Sequence, residues 1–189
     1  MGVSGIILSG GKSTRMGQDK GLIKLNGKPM IQHVIDHIDP ICDQILISAN
    51  DKAYEDFGYP VYEDEINEIG PAGGIVSSLK HSKNEKNIII SCDLPFASTQ
   101  FIRKLIEMSG DYKIALPMSG PHYQPLCAVY SKEVYTVFMD CLYKGIYSLK
   151  SIIKEFRIRI IKQEDIEGFD LTRELRNINY PDDLSSLNL

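Results

Sequence analysis

The chain has 189 residues, of which 43% are hydrophobic and 24% charged, and its formal net charge is −4. These values are typical of a globular protein with a good core. The net negative charge and the absence of a long Lys/Arg run argue against a nucleic-acid partner bound through its phosphates. Because no apolar run approaches the length of a membrane span and no signal peptide is visible, we expect a cytoplasmic protein without a membrane partner. The four cysteines form no C-x-x-C pair, so we expect reduced thiols.

A short apolar run near the start of the chain, Ile6–Leu8, leads into a loop of glycines and small polar residues. Glycines let the backbone approach an anion closely, and Arg15 and Lys20 can add charge-assisted contacts. The stretch therefore predicts a buried strand that delivers a phosphate-binding loop. It is not a Walker A loop, because the leading glycine of that motif would fall at position 6, which is isoleucine.

Strands and helices alternate along the rest of the chain. The apolar and β-branched runs predict strands over Gly5–Leu8, Gln44–Ala49, Pro60–Glu63, Asn87–Cys92, Lys113–Pro117, Leu126–Tyr130 and Arg157–Lys162. Helices are predicted over Pro29–Asp39, Gly73–His81, Thr99–Ser109, Lys132–Tyr143, Tyr147–Phe156 and Pro181–Leu187. This alternation predicts one α/β domain over residues 1–189, with a mainly parallel central sheet and right-handed crossovers.

Polar residues follow three of the predicted strands, at the edge where ligands bind in parallel sheets. Asp93 either caps the following turn or binds Mg²⁺, and an anion loop on another strand of the same sheet favours the metal. Asn50 is either a turn residue or a group that reads a base or ribose. Asp64 stands in an acidic stretch that otherwise reads as a solvated loop.

Three further patterns can each be interpreted either as a structural feature or as part of a binding site. The stretch Gly70–Gly74 is either a plain loop before a helix or a place where a ligand approaches a helix N-terminus. Asn177 and Asn179 either cap the last predicted helix or face a ligand. His33 and His37 stand at i, i+4 spacing, which indicates the polar face of an amphipathic helix more than a metal site.

The order of these motifs resembles that of the molybdenum cofactor guanylyltransferases, within the nucleotidyltransferase superfamily. The opening loop has the form Leu-x-Gly-Gly-x-x-x-Arg-Met-Gly-x-x-Lys, which many NTP:sugar-phosphate transferases share in part. The stretches Gly27–Met30 and Cys92–Pro95 and the closing Asn-x-Asn-x-Pro, which begins at Asn177, also fall in the family's order and at similar spacing.

The resemblance implies a three-layer Rossmann-like nucleotidyltransferase fold and transfer of GMP from GTP to molybdopterin, with Mg²⁺ as cofactor and pyrophosphate as the leaving group. It also implies transient contact with proteins of molybdenum cofactor biosynthesis or with acceptor proteins. The residues that it implies are Leu8, Ser9, Gly10, Lys20, Asn50, Asp64 and Asp93 for the nucleotide and Asp93 for the metal. For this reaction we predict Arg15, Lys20 and Asp93 as the catalytic residues, with Arg15 and Lys20 stabilising the departing pyrophosphate, and Asn177 and Asn179 as acceptor-binding residues.

The chain departs from the family's pattern at Ser9, where the family usually has Ala, and at Gln124-Pro125, where it has His-Pro. Gly10 favours GTP, because a relative that uses CTP typically has Ala there. Three alternatives stay open: a CTP:molybdopterin cytidylyltransferase, a sugar-phosphate nucleotidyltransferase, and a nucleotide-binding module without turnover. Asp93 together with Arg15 and Lys20 speaks against the last of these.

Overall fold

A computed structural model describes residues 2–9, 19–66 and 69–179 of the chain. Its strands are β1 (Val3–Leu8), β2 (Lys24–Leu25), β3 (Lys28–Pro29), β4 (Gln44–Ser48), β5 (Val61–Tyr62), β6 (Lys86–Ser91), β7 (Ile114–Ser119), β8 (His122–Tyr123), β9 (Cys127–Ser131) and β10 (Ile158–Ile161). Its α-helices are α1 (Met30–Ile38), α2 (Pro71–His81), α3 (Thr99–Met108), α4 (Val134–Tyr143), α5 (Leu149–Ile153) and α6 (Leu171–Glu174). Short 3₁₀ turns cover Lys20–Leu22, Asp39–Ile41, Lys52–Phe57 and Gln163–Asp165.

The central sheet has the strand order β10-β7-β9-β6-β1-β4-β5, and β8 extends it by pairing with β7. Strand β9 runs antiparallel to both of its neighbours, whereas the remaining pairs along this path are parallel. Strands β1, β4, β5, β6 and β7 therefore point the same way, and their carboxyl ends meet at one edge. The prediction of a mainly parallel sheet is confirmed.

Side chains of the central strands alternate between two helical layers, because successive residues of a strand face opposite sides of the sheet. Ile7 and Ile88 pack in one core cluster with residues of α1 and α3, whereas Ile6 and Ile89 pack in a second cluster with residues of α2 and α4. Both clusters consist of fully or nearly fully buried side chains. The result is a three-layer α/β architecture with the sheet in the middle.

The structure contains a small hairpin that the sequence analysis did not predict. Strands β2 and β3 pair antiparallel around Asn26 and Gly27, whose φ angles are 52° and 80°. Positive φ at both turn residues is the conformation for which Asn-Gly is favoured in tight hairpins. Each strand is only two residues long, too short for hydrophobic alternation to reveal.

The ends of the predicted helices differ from the observed ones by up to three residues, and α4 begins at Val134 instead of Lys132. Helix α2 begins at Pro71 instead of Gly73, with Gly70 before it at φ 71°. Predicted helix Tyr147–Phe156 is shorter, because α5 covers Leu149–Ile153 only. The helix predicted over Pro181–Leu187 lies outside the described residues. No helix in the described ranges combines the length and the apolar character that a membrane span requires.

Candidate active site

The carboxyl ends of β1, β4 and β6 bring several predicted site residues to the same level of the sheet edge. The N–H of Ser9 donates to the Ser48 carbonyl at 2.8 Å, and the N–H of Cys92 donates to the Leu8 carbonyl at 3.0 Å. These bonds extend the ladder just beyond the strand ends. Asp93 therefore leaves the sheet beside the point at which Ser9 leaves it, in the position where α/β sheets bind ligands.

Three polar side chains meet beyond the end of β6. The Lys20 ammonium lies 3.3 Å from Oδ2 of Asp93 and donates a hydrogen bond of 2.8 Å to Oδ1 of Asn179. The Lys20 and Asp93 side chains are 25% and 13% exposed, so solvent screens this ion pair less than a surface pair. The fold thus joins residues from the beginning, the middle and the end of the chain.

A short capped turn holds Lys20 in this position. Lys20 begins the 3₁₀ turn that ends at Leu22, and Asp19 caps it by accepting the Gly21 N–H on Oδ1 at 3.2 Å. The N–H of Leu22 also donates to the Asp19 carbonyl at 3.1 Å. Asp is favoured at such a position because its short side chain can accept from backbone N–H groups just ahead of it.

The segment that carries Asn179 is anchored by a buried isoleucine. Ile178 is fully buried in a small cluster with Leu25 and Met30, and its N–H donates to the Asp93 carbonyl at 3.0 Å. The anchoring directs Asn179 toward Lys20. Asn177 is exposed and takes no part in the contacts that join Lys20, Asp93 and Asn179, so only one of the two predicted asparagines lies at this cluster.

The predicted nucleoside residues form a second group, on the side of β4 and β5. The Ser48 hydroxyl donates to Oδ1 of Asp64 at 3.1 Å, and the Asp64 N–H donates to Oδ1 of Asn50 at 3.3 Å. Burial raises the pKa of Asp64, and the hydrogen bond from Ser48 partly opposes that rise. Asp64 is therefore a fixed, half-buried carboxylate and not part of a freely solvated acidic loop.

Gly73 and Gly74 lie inside the first turn of α2, in agreement with the predicted helix over Gly73–His81, and within this stretch only Gly70 precedes the helix. A Cβ at Gly74 would lie 2.5 Å from Oγ of Ser48 and 3.1 Å from Oδ1 of Asp64. At Gly73 it would lie 2.8 Å from the Ile66 carbonyl oxygen. The close approach that these glycines permit is thus filled by the protein itself.

The sequence analysis missed Tyr54, which lies beneath the site. Tyr54 is fully buried, and its hydroxyl donates a hydrogen bond to Oδ1 of Asp19. The Ser9 hydroxyl lies close to Tyr54 and Cys92 but makes no hydrogen bond of good geometry among the described residues. A tyrosine in a short polar stretch carries no signal of this role, because the contact joins segments 35 residues apart.

The two histidines of the first helix each contact a backbone group. A ring nitrogen of His33 lies 3.0 Å from the Leu25 carbonyl oxygen. Burial lowers the pKa of His37, against an opposing hydrogen bond with the backbone of Pro95. In the described ranges no group of three or more His, Cys, Asp or Glu side chains is placed to hold a metal ion. Asp93 offers a carboxylate at the sheet edge beside Lys20. One carboxylate suits Mg²⁺, because that ion takes few protein ligands and completes its shell with water and phosphate oxygens.

Two of the predicted site residues, Gly10 and Arg15, lie outside the described residues. Leu8 is described, and its side chain packs into the core against α2, with 7% exposure. Any contact of Leu8 with a ligand would therefore come mainly from its backbone.

Comparison with solved structures first identifies the fold. The chain superimposes on molybdopterin-guanine dinucleotide biosynthesis protein A from Archaeoglobus fulgidus with a TM-score of 0.81 and 22% identity, covering 97% of this chain and 95% of that one. The fold is thus the Rossmann-like fold of nucleotidyltransferases, as predicted.

Sequence comparison then gives the family. The model of the MobA-like NTP transferase domain matches residues 5–160. A "Probable molybdenum cofactor guanylyltransferase" of Flavobacterium johnsoniae is 35% identical over 97% of this chain and 95% of its own length. The molybdenum cofactor guanylyltransferase of Vibrio parahaemolyticus is 33% identical, over 96% of this chain and 93% of its own length. The chain belongs to the MobA-like NTP transferase family and is a nucleotidyltransferase.

Proposed function

We propose that the chain is a molybdenum cofactor guanylyltransferase, which transfers GMP from GTP to molybdopterin and releases pyrophosphate. The observation that carries the proposal is the meeting of Lys20, Asp93 and Asn179 at the carboxyl edge of the sheet. Relatives that bear this name match nearly the whole chain, which further supports it. The name that those relatives carry favours GTP over CTP and molybdopterin over a sugar phosphate.

The nucleoside of GTP is assigned to the edge formed by β1, β4 and β5. The Asn50 side-chain oxygen accepts the Asp64 backbone N–H there, and the Asp64 carboxylate accepts from the Ser48 hydroxyl, so that both side chains are held at this edge. Leu8, Ser9 and Gly10, which the family resemblance implies for the nucleotide, are assigned to the same half of the site.

The phosphates are assigned to the cationic side of the same edge. Lys20, supplemented by Arg15, would bind the β and γ phosphates and stabilise the charge that builds up on departing pyrophosphate. Asp93 would hold Mg²⁺, which when bound neutralises phosphate charge during the transfer. A single carboxylate that is 13% exposed fits this ion, since the nucleotide and water supply the other oxygens.

The reaction joins two anions, so positioning and charge neutralisation carry most of the catalysis. The terminal phosphate oxygen of molybdopterin attacks the α-phosphorus of GTP, and the bond from that phosphorus to the bridging oxygen of pyrophosphate breaks. The attacking phosphate is already ionised at neutral pH and needs no general base. The acceptor is assigned to the side of Asn179, with Asn177 at its outer margin.

The remaining assignments follow from this reaction. We infer one catalytic domain over residues 1–189, working in the cytoplasm, where GTP is available. We further infer transient contact with other proteins of molybdenum cofactor biosynthesis or with acceptor proteins, as the family resemblance implies.

Pyrophosphate release tests the proposal. Purified protein is incubated with molybdopterin, Mg²⁺ and one of GTP, CTP or UTP, and the dinucleotide product is identified by mass. We expect release with GTP that depends on molybdopterin. Preferential turnover of CTP would make the chain a cytidylyltransferase, and GTP-dependent thermal stabilisation without any release would make it a binding module; either result refutes the proposal.

A further inference from the structure

A buried tyrosine outside the proposed catalytic set contacts the segment that carries Lys20. Tyr54 lies in the 3₁₀ turn that follows β4, and its side chain is fully buried. Its hydroxyl donates to Oδ1 of Asp19, the residue directly before Lys20. The same oxygen accepts the Gly21 N–H at 3.2 Å. The carboxylate of Asp19 is thus held both by its own turn and by a distant side chain.

The fit between these two segments is close. A Cβ at Gly21 would lie 2.4 Å from the Tyr54 hydroxyl oxygen and 3.0 Å from its ring, so glycine is required for the contact. Burial, the largest cause, raises the pKa of Tyr54 well above its ordinary value, with contributions from Cys92 and Asp19. The phenol therefore stays neutral at neutral pH and remains a donor to Asp19.

We propose that Tyr54 is a positioning residue of the nucleotidyl-transfer site, acting through Asp19 to fix the direction of the Lys20 side chain. The inference rests on the proposed function, in which Lys20 stabilises departing pyrophosphate. The ammonium of Lys20 is shared between Asp93 and Asn179 at 3.3 and 2.8 Å, so a small displacement of the preceding residue changes both distances. Misplacement of a reacting group by about 1 Å can cost on the order of 10²-fold in rate.

Tyr54→Phe removes only the hydroxyl oxygen and keeps the buried ring. We expect kcat for pyrophosphate release to fall by about 10- to 100-fold, while KM for GTP changes by less than about threefold. Tyr59→Phe is the matched control, because the Tyr59 hydroxyl also donates to a carboxylate, that of Asp39, at 2.8 Å. Tyr59 lies just before β5 begins, at the amino ends of the parallel strands and away from the proposed site at their carboxyl ends. The Tyr59→Phe variant should therefore keep the wild-type kcat.

A double-variant cycle separates positioning from a general loss of structure. If Tyr54 acts through Lys20, then Tyr54→Phe should not lower further the single-turnover rate of Lys20→Ala. Independent, multiplying effects in the double variant, or an unchanged kcat in Tyr54→Phe alone, would overturn the proposal. If Tyr54→Phe melts below the assay temperature, Asp19→Asn takes its place in the same cycle, because it weakens the bond without changing side-chain size.

The cycle also distinguishes this proposal from the function on which it rests. A wild-type protein that releases no pyrophosphate from GTP in the presence of molybdopterin would refute the proposed function. An active wild-type protein with multiplying effects of the Tyr54 and Lys20 substitutions would refute only the positioning role.

Discussion

Asp93→Asn tests the proposed site most directly, because it removes one charge and keeps the size of the side chain. The Asp93 backbone carbonyl would still accept the Ile178 N–H at 3.0 Å. The lost interaction is that between Oδ2 and the Lys20 ammonium, 3.3 Å apart. Two unit charges at this distance attract by about 5 kcal/mol at an effective dielectric constant of about 20. Desolvation of both groups and screening of the exposed part of Lys20 offset most of this, which leaves a loss of about 1 kcal/mol in stability.

The loss of activity should be much larger than the loss of stability. Removal of one preorganised charge-stabilising group costs on the order of 10²- to 10³-fold in kcat, or about 2.7–4 kcal/mol. If Asp93 holds Mg²⁺, the variant also needs a higher Mg²⁺ concentration for its residual activity. The assay is pyrophosphate release from GTP with molybdopterin over a series of Mg²⁺ concentrations, with Tm measured on the same samples.

Asp140→Asn is the matched control for this experiment. Asp140 pairs with Lys144 at 2.6 Å on α4, where the two side chains are 60% and 64% exposed. The kcat and Tm of Asp140→Asn should both stay near the wild-type values, because exposed ion pairs contribute little to stability. A kcat for Asp93→Asn within about threefold of wild type at saturating Mg²⁺ would refute the metal assignment. If the Tm of Asp93→Asn fell as strongly as its activity, the loss of activity would come from unfolding and not from the loss of a catalytic group.

Three other substitutions probe the surroundings of the site. Asp64→Asn should raise the free energy of unfolding at neutral pH, because the fold raises the pKa of Asp64 and so disfavours its charged form. The gain should shrink as the pH falls through that pKa, and unfolding titrations at several pH values measure it. Gly74→Ala should destabilise the protein by about 1–3 kcal/mol and raise KM for GTP, because the new Cβ would lie 2.5 Å from Ser48 Oγ. Denaturant unfolding measures the stability and steady-state kinetics measure KM, and an unchanged KM would contradict the expected effect on GTP binding. Ile178→Ala should cost about 2–5 kcal/mol of stability by leaving a cavity, and should lower kcat by releasing the segment that holds the Asn179 side chain against Lys20. Tm and pyrophosphate release at saturating GTP test these effects, and a stable variant with full kcat would argue against the anchoring role.

The sequence could predict those parts of the site that depend on strand ends and local motifs. Asp93 and Asp64 both follow apolar or β-branched runs, and a parallel sheet places such residues at one edge. The structure brings Asp93 to Lys20 and Asp64 to Asn50, as this reasoning requires. The sequence could not predict the order of strands across the sheet, because the hydrophobic run of one strand does not show which other strand pairs with it.

Contacts between distant segments also escaped prediction. The pairing of Asn179 with Lys20 depends on Ile178 filling a small cluster built by an unpredicted hairpin, and neither feature has a periodic pattern. The contact of Tyr54 with Asp19 is set by the packing of two 3₁₀ turns, which are too short for sequence periodicity. These features are fixed by complementary shape and hydrogen bonding and not by local preference.

The Lys20–Asp93 pair links folding to function at this edge of the sheet. A largely buried carboxylate without a partner is costly, so the protein needs a cation beside Asp93 before any ligand binds. Lys20 supplies that cation, while Asn179 gives its ammonium a second acceptor at 2.8 Å. In the proposed reaction the phosphates of GTP offer Lys20 a new anionic partner and Mg²⁺ offers Asp93 a new cationic one. The substrates thus exchange one satisfied charge pair for two, which allows the edge to bind a highly charged nucleotide without an unpaired buried charge at any stage.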